Sequence, residues 1–321
     1  MEACHSPEQS NITSYADTTV AIIITLEVFA GMWINAFIVS VICMVWVRKN
    51  TLNSNEKILL FLGCSRFWYL CISWVYSIFL IIYLNYLYVH PIFHLLNSAR
   101  NFFSYSNLWF SASLFVFYCI KIANFRNSFF IYLKVKIDRI VPCLLLGSVL
   151  FSLVIGIIAY NTMDKALSNN FNFTCQGSIW KASITIDQHL LPHYFIIGFG
   201  YATSFTAVIL STLLLLFSFW RHKCNMQTNS MKDLSMDAHI KAMKSILSFF
   251  IMYSINFICL ILILIYSMKN ESDLIFLTYL IQYTFPGFHS LVLIFSNPNL
   301  EKRLLGILRC VKCKVFLKRE L

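Results

Sequence analysis

The stretch LFLGCSRFWYLCISW, Leu60 to Trp74, places an arginine in the middle of an apolar segment. Arg66 is the only charged residue from Ile58 to Tyr83, a run longer than the ~20 residues that a helix needs to cross a bilayer core. A charged side chain at the centre of a membrane helix costs at least about 2.5–3.5 kcal/mol on insertion scales. We therefore expect Arg66 to have a buried partner.

The composition indicates which solvent surrounds most of the chain. Of the 321 residues, 59% are hydrophobic and 12% are charged, whereas ordinary soluble domains carry about 25% charged residues. With a mean hydropathy of +0.70, these values indicate an integral membrane protein. Seven apolar runs predict seven transmembrane helices, at about 19-46, 58-83, 98-120, 140-160, 193-219, 243-267 and 274-296. We expect one all-α seven-helix domain over residues 1-321, with a cytoplasmic tail at 297-321.

The positions of lysine and arginine predict the orientation of this bundle. With the N-terminus outside, 20 of the 25 basic residues fall in cytoplasmic segments, as the positive-inside rule requires. The N-glycosylation sequons at Asn11, Asn172 and Asn270 then all lie outside. The net charge of +11 is thus a topology signal, and no nucleic-acid partner is expected. The N-terminal stretch MEACHSPEQS lacks the pattern of a cleavable signal peptide, so we expect the first span to act as its own insertion signal.

Patterns that would indicate catalysis or transport are weak. The only acid inside a predicted span is Glu27, whereas an intramembrane hydrolase or an ion-coupled pump needs several ionisable groups there. Each of two outer histidine pairs at i,i+4 spacing encloses a proline, so no metal site and no cofactor are predicted. A receptor is the remaining class, and we do not expect an enzyme.

Two blocks carry a resemblance to a known family. The third span ends in FYCIKIANF, Phe117 to Phe125, and the last span continues into HSLVLIFSNPNLEK, His289 to Lys302. With DAHIKAMKSILSFF before the sixth span and the arginine of the second, these blocks resemble the bitter taste receptors, the type 2 taste receptor family of G-protein-coupled receptors. The resemblance covers all seven spans. It implies a multi-pass receptor of the plasma membrane that binds small-molecule agonists and activates a gustducin or Gi-like heterotrimeric G protein.

The resemblance also gives Arg66 a role. Asn35, His289 and Ser290 should lie at the same depth on neighbouring helices, about 12 Å from the cytoplasmic helix start at 1.5 Å per residue. All can hydrogen-bond in a water-poor core, and the resemblance implies a polar switch at this level. The alternative is that Arg66 only holds the bundle together.

The cytoplasmic face is the coupling surface that the resemblance implies. Its candidate residues are Tyr118, Lys121, His239 and Lys241, together with the loop from Phe125 to Arg139. The alternative, that lysines here are only positive-inside anchors, is preferred for some of them: Lys134, Lys136 and Lys223. Beyond Asn299, leucines alternate with basic residues, which predicts a short amphipathic eighth helix on the anionic bilayer surface.

A ligand pocket is expected in the outer half of the bundle. Arg100, Phe103, Ser104 and Asn107 follow the i, i+3, i+4, i+7 spacing of one helical face on the third span. The residues expected opposite them, on the sixth and seventh spans, are Asn256, Tyr279, Gln282 and Tyr283. Arg100, which stands where most family members carry a tryptophan, predicts a preference for anionic ligands. Its alternative is an arginine that reaches lipid headgroups or a loop acid.

Two other functions stay open at this point. One is a pheromone receptor of the vomeronasal type 1 group, which shares the architecture but fits the two blocks less well. The other is a seven-helix channel or transporter, which would conduct without any G protein. Whether the receptor forms homo-oligomers or hetero-oligomers is also open.

Overall fold

The described part of the chain consists mainly of α-helices. A computed structural model describes residues 15–82, 92–123, 127–169, 191–227, 246–262, 265 and 272–317. The helices are α1 (Tyr15–Lys49), α2 (Ser54–Ile82), α3 (Ile92–Ile122), α4 (Ser128–Asn169), α5 (Leu191–Gln227), α6 (Ile246–Leu262), α7 (Ser272–Ser296) and α8 (Pro298–Leu317). Within those residues, α1 to α5 are long and apolar enough to cross a membrane, and the apolar helices Ile246–Leu262 and Leu280–Ser296 are shorter.

Asparagines mark several helix ends. Asn50 adopts the left-handed conformation after α1, with φ of 54°, which asparagine tolerates better than most residues. Before α2, the Asn53 N–H donates to Glu56 Oε2 at 2.9 Å, half of a capping box. The side-chain oxygen of Asn127 accepts from the Phe129 N–H at 2.9 Å and so caps α4. These local signals let the chain reverse direction within a few residues.

The core is built around α3. In its most apolar window 72% of the residues are buried, against 33% in α1 and in α4, so α3 lies at the centre and the other two lie at the periphery. Leu108, Leu114 and Phe117 of α3 belong to the largest apolar cluster. In α4, by contrast, Leu146 and Leu150 are 61% and 54% exposed. Exposed leucines one turn apart are expected on a helix face in contact with lipid.

The prediction that residues 125-139 form a loop was wrong over most of its length. The helix α4 begins at Ser128, about three turns before the predicted span. In this first part, Phe130, Leu133 and Ile137 pack against the apolar clusters. Their spacing is that of an amphipathic helix, and the helix extends beyond the apolar run because it buries one face against the bundle.

Two glycines allow α1 and α7 to approach closely. A Cβ atom added to Gly287 would lie 3.0 Å from the Cα atom of Gly31, closer than an ordinary van der Waals contact. A side chain at Gly287 would therefore press on the backbone of α1, whereas one at Gly31 would first meet Leu70 Cδ1 of α2, at 2.8 Å. This approach aligns Asn35, one turn after Gly31, with Ser290, which follows Gly287 on α7.

Candidate ligand cavity and buried polar network

Arg66 lies at the centre of a buried hydrogen-bond network. Its side chain is completely buried. Nε donates to Asn107 Oδ1 at 2.8 Å, and Nη1 donates to Ser290 Oγ at 2.8 Å. Nη2 donates to Ser111 Oγ at 3.2 Å and also contacts His289 Nδ1. The expected buried partner of Arg66 is thus a set of four uncharged groups on α3 and α7.

The network continues to α1 through a serine. The Ser290 hydroxyl donates to Asn35 Oδ1 at 2.7 Å, so its oxygen is the atom that accepts from Arg66. Asn35 Nδ2 in turn donates to the backbone oxygen of Gly31 at 2.8 Å. These directions agree with the chemistry of the groups, since the guanidinium and the amide nitrogen donate, the amide oxygen accepts, and the serine hydroxyl does both. The structure therefore brings together all four residues for which the sequence predicted a polar switch: Asn35, Arg66, His289 and Ser290.

His289 connects the network to aromatic side chains. Because arginine can only donate, Nδ1 faces it as an acceptor, and the ring is a neutral imidazole with its proton on Nε2. Among the described residues, Nε2 has no hydrogen-bond partner. The ring stacks on Phe285 with centroids 5.4 Å apart and meets the ring of Phe249 edge-on at 5.0 Å. Through Phe249, α6 is in direct contact with the network.

A small cavity lies directly on the outer side of this network. Its lining comes from α2, α3, α5, α6 and α7: Tyr69, Ser104, Asn107, Leu108, Tyr201, Asn256, Leu260, Gln282, Phe285 and Pro286. All of these side chains are uncharged. Apolar walls with a few polar groups are usual for small-molecule sites.

Four of the eight predicted ligand-binding residues line the cavity: Ser104, Asn107, Asn256 and Gln282. The structure therefore brings α3, α6 and α7 together at the expected level.

Three of the others point elsewhere. Phe103 stacks on Trp68 of α2, with centroids 6.4 Å apart, and the hydroxyl of Tyr283 lies 3.2 Å from Ser77 Oγ. The guanidinium carbon of Arg100 lies 4.9 Å from the centroid of the Tyr76 ring, a cation–π contact. The side chain of Tyr279 is outside the part of the chain that the structure describes.

Sequence reasoning missed several contributors to the site. Ser111 was not singled out, although it lies one helical turn after Asn107 and so on the same side of α3. The sequence also did not predict three aromatic residues that line the cavity: Tyr69, Tyr201 and Phe285. Aromatic residues are so common in these spans that their type alone carries no positional signal.

Part of the predicted coupling surface is held by polar contacts at the cytoplasmic helix ends. Lys121 Nζ lies 3.3 Å from Asp138 Oδ2, and the Ser54 hydroxyl donates to Asp138 Oδ1 at 2.6 Å. The Tyr118 hydroxyl donates to Asn55 Oδ1 at 3.2 Å. These contacts join the start of α2, the end of α3 and the start of α4. Five further predicted residues lie outside the described residues: Asn11, Asn172, His239, Lys241 and Asn270.

Comparison with solved structures identifies the fold. The chain superimposes on squid rhodopsin with a TM-score of 0.66 at 10% sequence identity, covering 97% of this chain and 90% of that one. At this identity the likeness concerns the fold alone, and it confirms the predicted all-α seven-helix bundle.

Sequence comparison identifies the family. The family model described as taste receptor protein (TAS2R) matches residues 12–312. The chain belongs to the TAS2R family of taste receptors. Taste receptor type 2 member 9 of Homo sapiens is 30% identical over 305 residues, covering 93% of this chain and 95% of that protein. Taste receptor type 2 member 40 of Gallus gallus is 32% identical over 295 residues, covering 90% and 94%.

Family membership decides between the functional classes that the sequence left open. This TAS2R chain is a multi-pass membrane receptor of the G-protein-coupled class, for bitter-type small molecules, and it is not an enzyme. Neither the pheromone receptor nor the channel or transporter receives support from these comparisons.

Proposed function

We propose that this taste receptor binds its agonists in the cavity between α3, α5, α6 and α7 and transmits their presence through the Arg66 network. The observation that carries the proposal concerns Asn107. Its side chain lines the cavity, and its Oδ1 atom accepts from Arg66 Nε at 2.8 Å. One residue is therefore in contact with both the proposed ligand and the buried charge.

Phe285 supports the same connection on the opposite wall. It lines the cavity and stacks on His289, which contacts Arg66. A ligand that turns the amide of Asn107 or displaces the ring of Phe285 changes an acceptor of the guanidinium. Because a buried charge without partners is very costly, Arg66 then has to exchange partners and cannot simply lose one. Such exchange between discrete arrangements is how small shifts at a ligand site become helix movements.

The movement has a route to the cytoplasmic face. Phe249 of α6 touches His289, and it also meets Phe115 of α3 edge-on at 6.3 Å. We propose that a change at His289 alters the packing of α6 on α3 and so the surface offered to a gustducin or Gi-like G protein at the plasma membrane. The proposed contacts on that surface are Tyr118, Lys121, His239 and Lys241.

The proposed glycosylation acceptors lie on the opposite, outer side of the membrane: Asn11, Asn172 and Asn270. Enzymatic deglycosylation of the receptor tests whether they carry glycans.

The receptor function is tested by applying a panel of bitter compounds to cells with and without a chimeric G protein and measuring calcium release.

Asn107→Leu tests the transmission step, because leucine fills a similar volume but offers Arg66 no acceptor. We expect the maximal response to fall at least tenfold at matched surface expression. Ser104→Ala is the control, since Ser104 lines the same cavity without a contact to Arg66 in the network described above. Equal losses in the two variants, or a current that needs no G protein, would contradict the proposal.

A further inference from the structure

We infer that the cavity selects neutral ligands that donate a hydrogen bond to the side-chain carbonyl of Gln282. This inference rests on the proposed function for the location of the ligand, and it adds the chemical class. Gln282 lines the cavity from α7 and its side chain is 7% exposed. Among the residues that the structure describes, its Oε1 atom has no hydrogen-bond partner.

An unpartnered buried carbonyl favours a particular kind of ligand. A carbonyl oxygen only accepts hydrogen bonds, and leaving it unsatisfied in a buried site costs free energy that a ligand N–H or O–H recovers. The side-chain oxygen of Asn107, which also lines the cavity, already accepts a hydrogen bond from Arg66. Gln282 Oε1 is thus a buried acceptor that a ligand donor can satisfy.

The absence of charged side chains among the residues that line the cavity disfavours ionic ligands. The guanidinium of Arg66 is enclosed by Asn107, Ser111, His289 and Ser290, and that of Arg100 stacks on Tyr76. An anion or a cation entering the cavity would lose its hydration without gaining a counter-charge, which is costly in a membrane interior. A neutral donor loses much less.

The remaining walls set the shape of such a ligand. Leu108, Leu260 and Phe285 give apolar surface on three helices. Because the enclosed space is small, the ligand that suits these walls best is a compact ring with one amide N–H or hydroxyl. A small cyclic amide is therefore a suitable probe.

Caprolactam and three relatives isolate the hydrogen bond. N-methylcaprolactam lacks the donor, a ring-methylated caprolactam keeps the N–H and adds the same volume, and hexanoate carries a charge on the same number of carbons. Their dissociation constants are measured on the purified full-length receptor in lipid nanodiscs by saturation-transfer NMR titration. We expect the two N–H lactams to bind about tenfold more tightly than N-methylcaprolactam, and hexanoate to bind more weakly than either of them.

Two variants assign the acceptor. Gln282→Met keeps a similar length and removes the carbonyl, so the tenfold preference for the N–H lactams should fall to about onefold. Asn256→Leu removes a different amide from the same cavity and should retain the preference, even if all the lactams bind less tightly. The ratio between ligands is measured within each variant, so a general loss of affinity does not affect it.

Several outcomes would overturn the inference. They are equal binding of N–H and N-methyl lactams by the wild-type receptor, no lactam binding up to the solubility limit, and stronger binding of hexanoate. Loss of the preference in Asn256→Leu with retention in Gln282→Met would show that the acceptor is Asn256 and not Gln282. Calcium responses to the same compounds test the proposed function separately. Selective lactam binding without any response would contradict the proposed signalling and leave the ligand class intact.

Discussion

Arg66 and Arg100 lie in neighbouring helices and accommodate their charge in opposite ways. Arg66, near the middle of α2, is completely buried, and it contacts four uncharged groups on two other helices. Arg100, nearer the outer end of α3, is partly exposed and stacks on Tyr76. Depth explains the difference, because a charge at the bilayer centre must replace all of its hydration by protein groups, whereas one near the interface keeps part of it.

The comparison separates two uses of a charge. Four residues around Arg66 form polar contacts with its guanidinium. If one of these contacts is lost, the others must rearrange to replace it. Around Arg100 the contacts with an aromatic face are sequence-tolerant and individually weak. A buried charge such as Arg66 is suited to a switch, whereas a partly exposed charge such as Arg100 is suited to orienting a helix end.

Removing the Arg66 guanidinium should have the largest effect of any single substitution. Arg66→Leu leaves the partner groups on α3 and α7 without their donor, at about 1–3 kcal/mol for each buried acceptor. We expect loss of signalling, partly through impaired folding, in calcium and surface-expression assays. Arg66→Lys retains the charge but not the forked geometry, and it should recover expression more than signalling. Substantial signalling by Arg66→Leu at wild-type surface level would refute the switch.

Breaking the relay to α1 should have an intermediate effect. Ser290→Ala removes an acceptor of Arg66 and the donor to Asn35, so we expect destabilisation of about 1–3 kcal/mol and a lower melting temperature in nanodiscs. Ser148→Ala is the matched control, because this buried serine donates to the Leu144 oxygen within its own helix at 2.8 Å. If both variants melt at the same temperature, the network is not cooperative.

Replacing Arg100 should have a smaller effect. Arg100→Ala removes a cation–π contact that is worth about 0.5–1 kcal/mol at an exposed site. The stacking on Tyr76 favours small and equal shifts in potency for acidic and neutral agonists. If Arg100 is instead the counter-charge of the ligand, acidic agonists alone should weaken by roughly ten- to a hundredfold. Dose-response curves at matched surface expression distinguish the two outcomes.

The exposed ion pair of the cytoplasmic face should matter least. The side chains of Lys121 and Asp138 are 49% and 60% exposed, so solvent screens their interaction. Asp138→Asn keeps an oxygen for the Ser54 hydroxyl and removes only the charge. We expect a change of less than about 1 kcal/mol in the free energy of unfolding, detectable as a small shift in melting temperature that disappears at high salt. A shift as large as that of Ser290→Ala would mean that this exposed ion pair contributes as much as a buried hydrogen-bond partner of Arg66.

The third helix illustrates the limit of helical periodicity. Arg100, Phe103, Ser104 and Asn107 share one face by spacing, and the sequence predicted that all four meet the ligand. Only Ser104 and Asn107 line the cavity. A helix face is wide enough to touch two neighbours, and the ring of Trp68 and that of Tyr76 on α2 engage the other two. Which helix a given residue of α3 contacts depends on the rotation of α3 about its own axis. The spacing of residues along the sequence does not determine that rotation.

The sequence by itself determined the bilayer as solvent and the seven-helix bundle, which follow from composition and apolar run length. It also determined the family, through the two blocks that resemble it, and the need of Arg66 for a buried partner, through the cost of a charge in hydrocarbon. Only the tertiary structure decided that Ser111 joins the network, that Asn107 is shared between network and cavity, and that Arg100 faces Tyr76. These results depend on the rotation and separation of packed helices. Close approaches such as that of Gly31 to Gly287 set both, and they arise from contacts between residues far apart in the sequence.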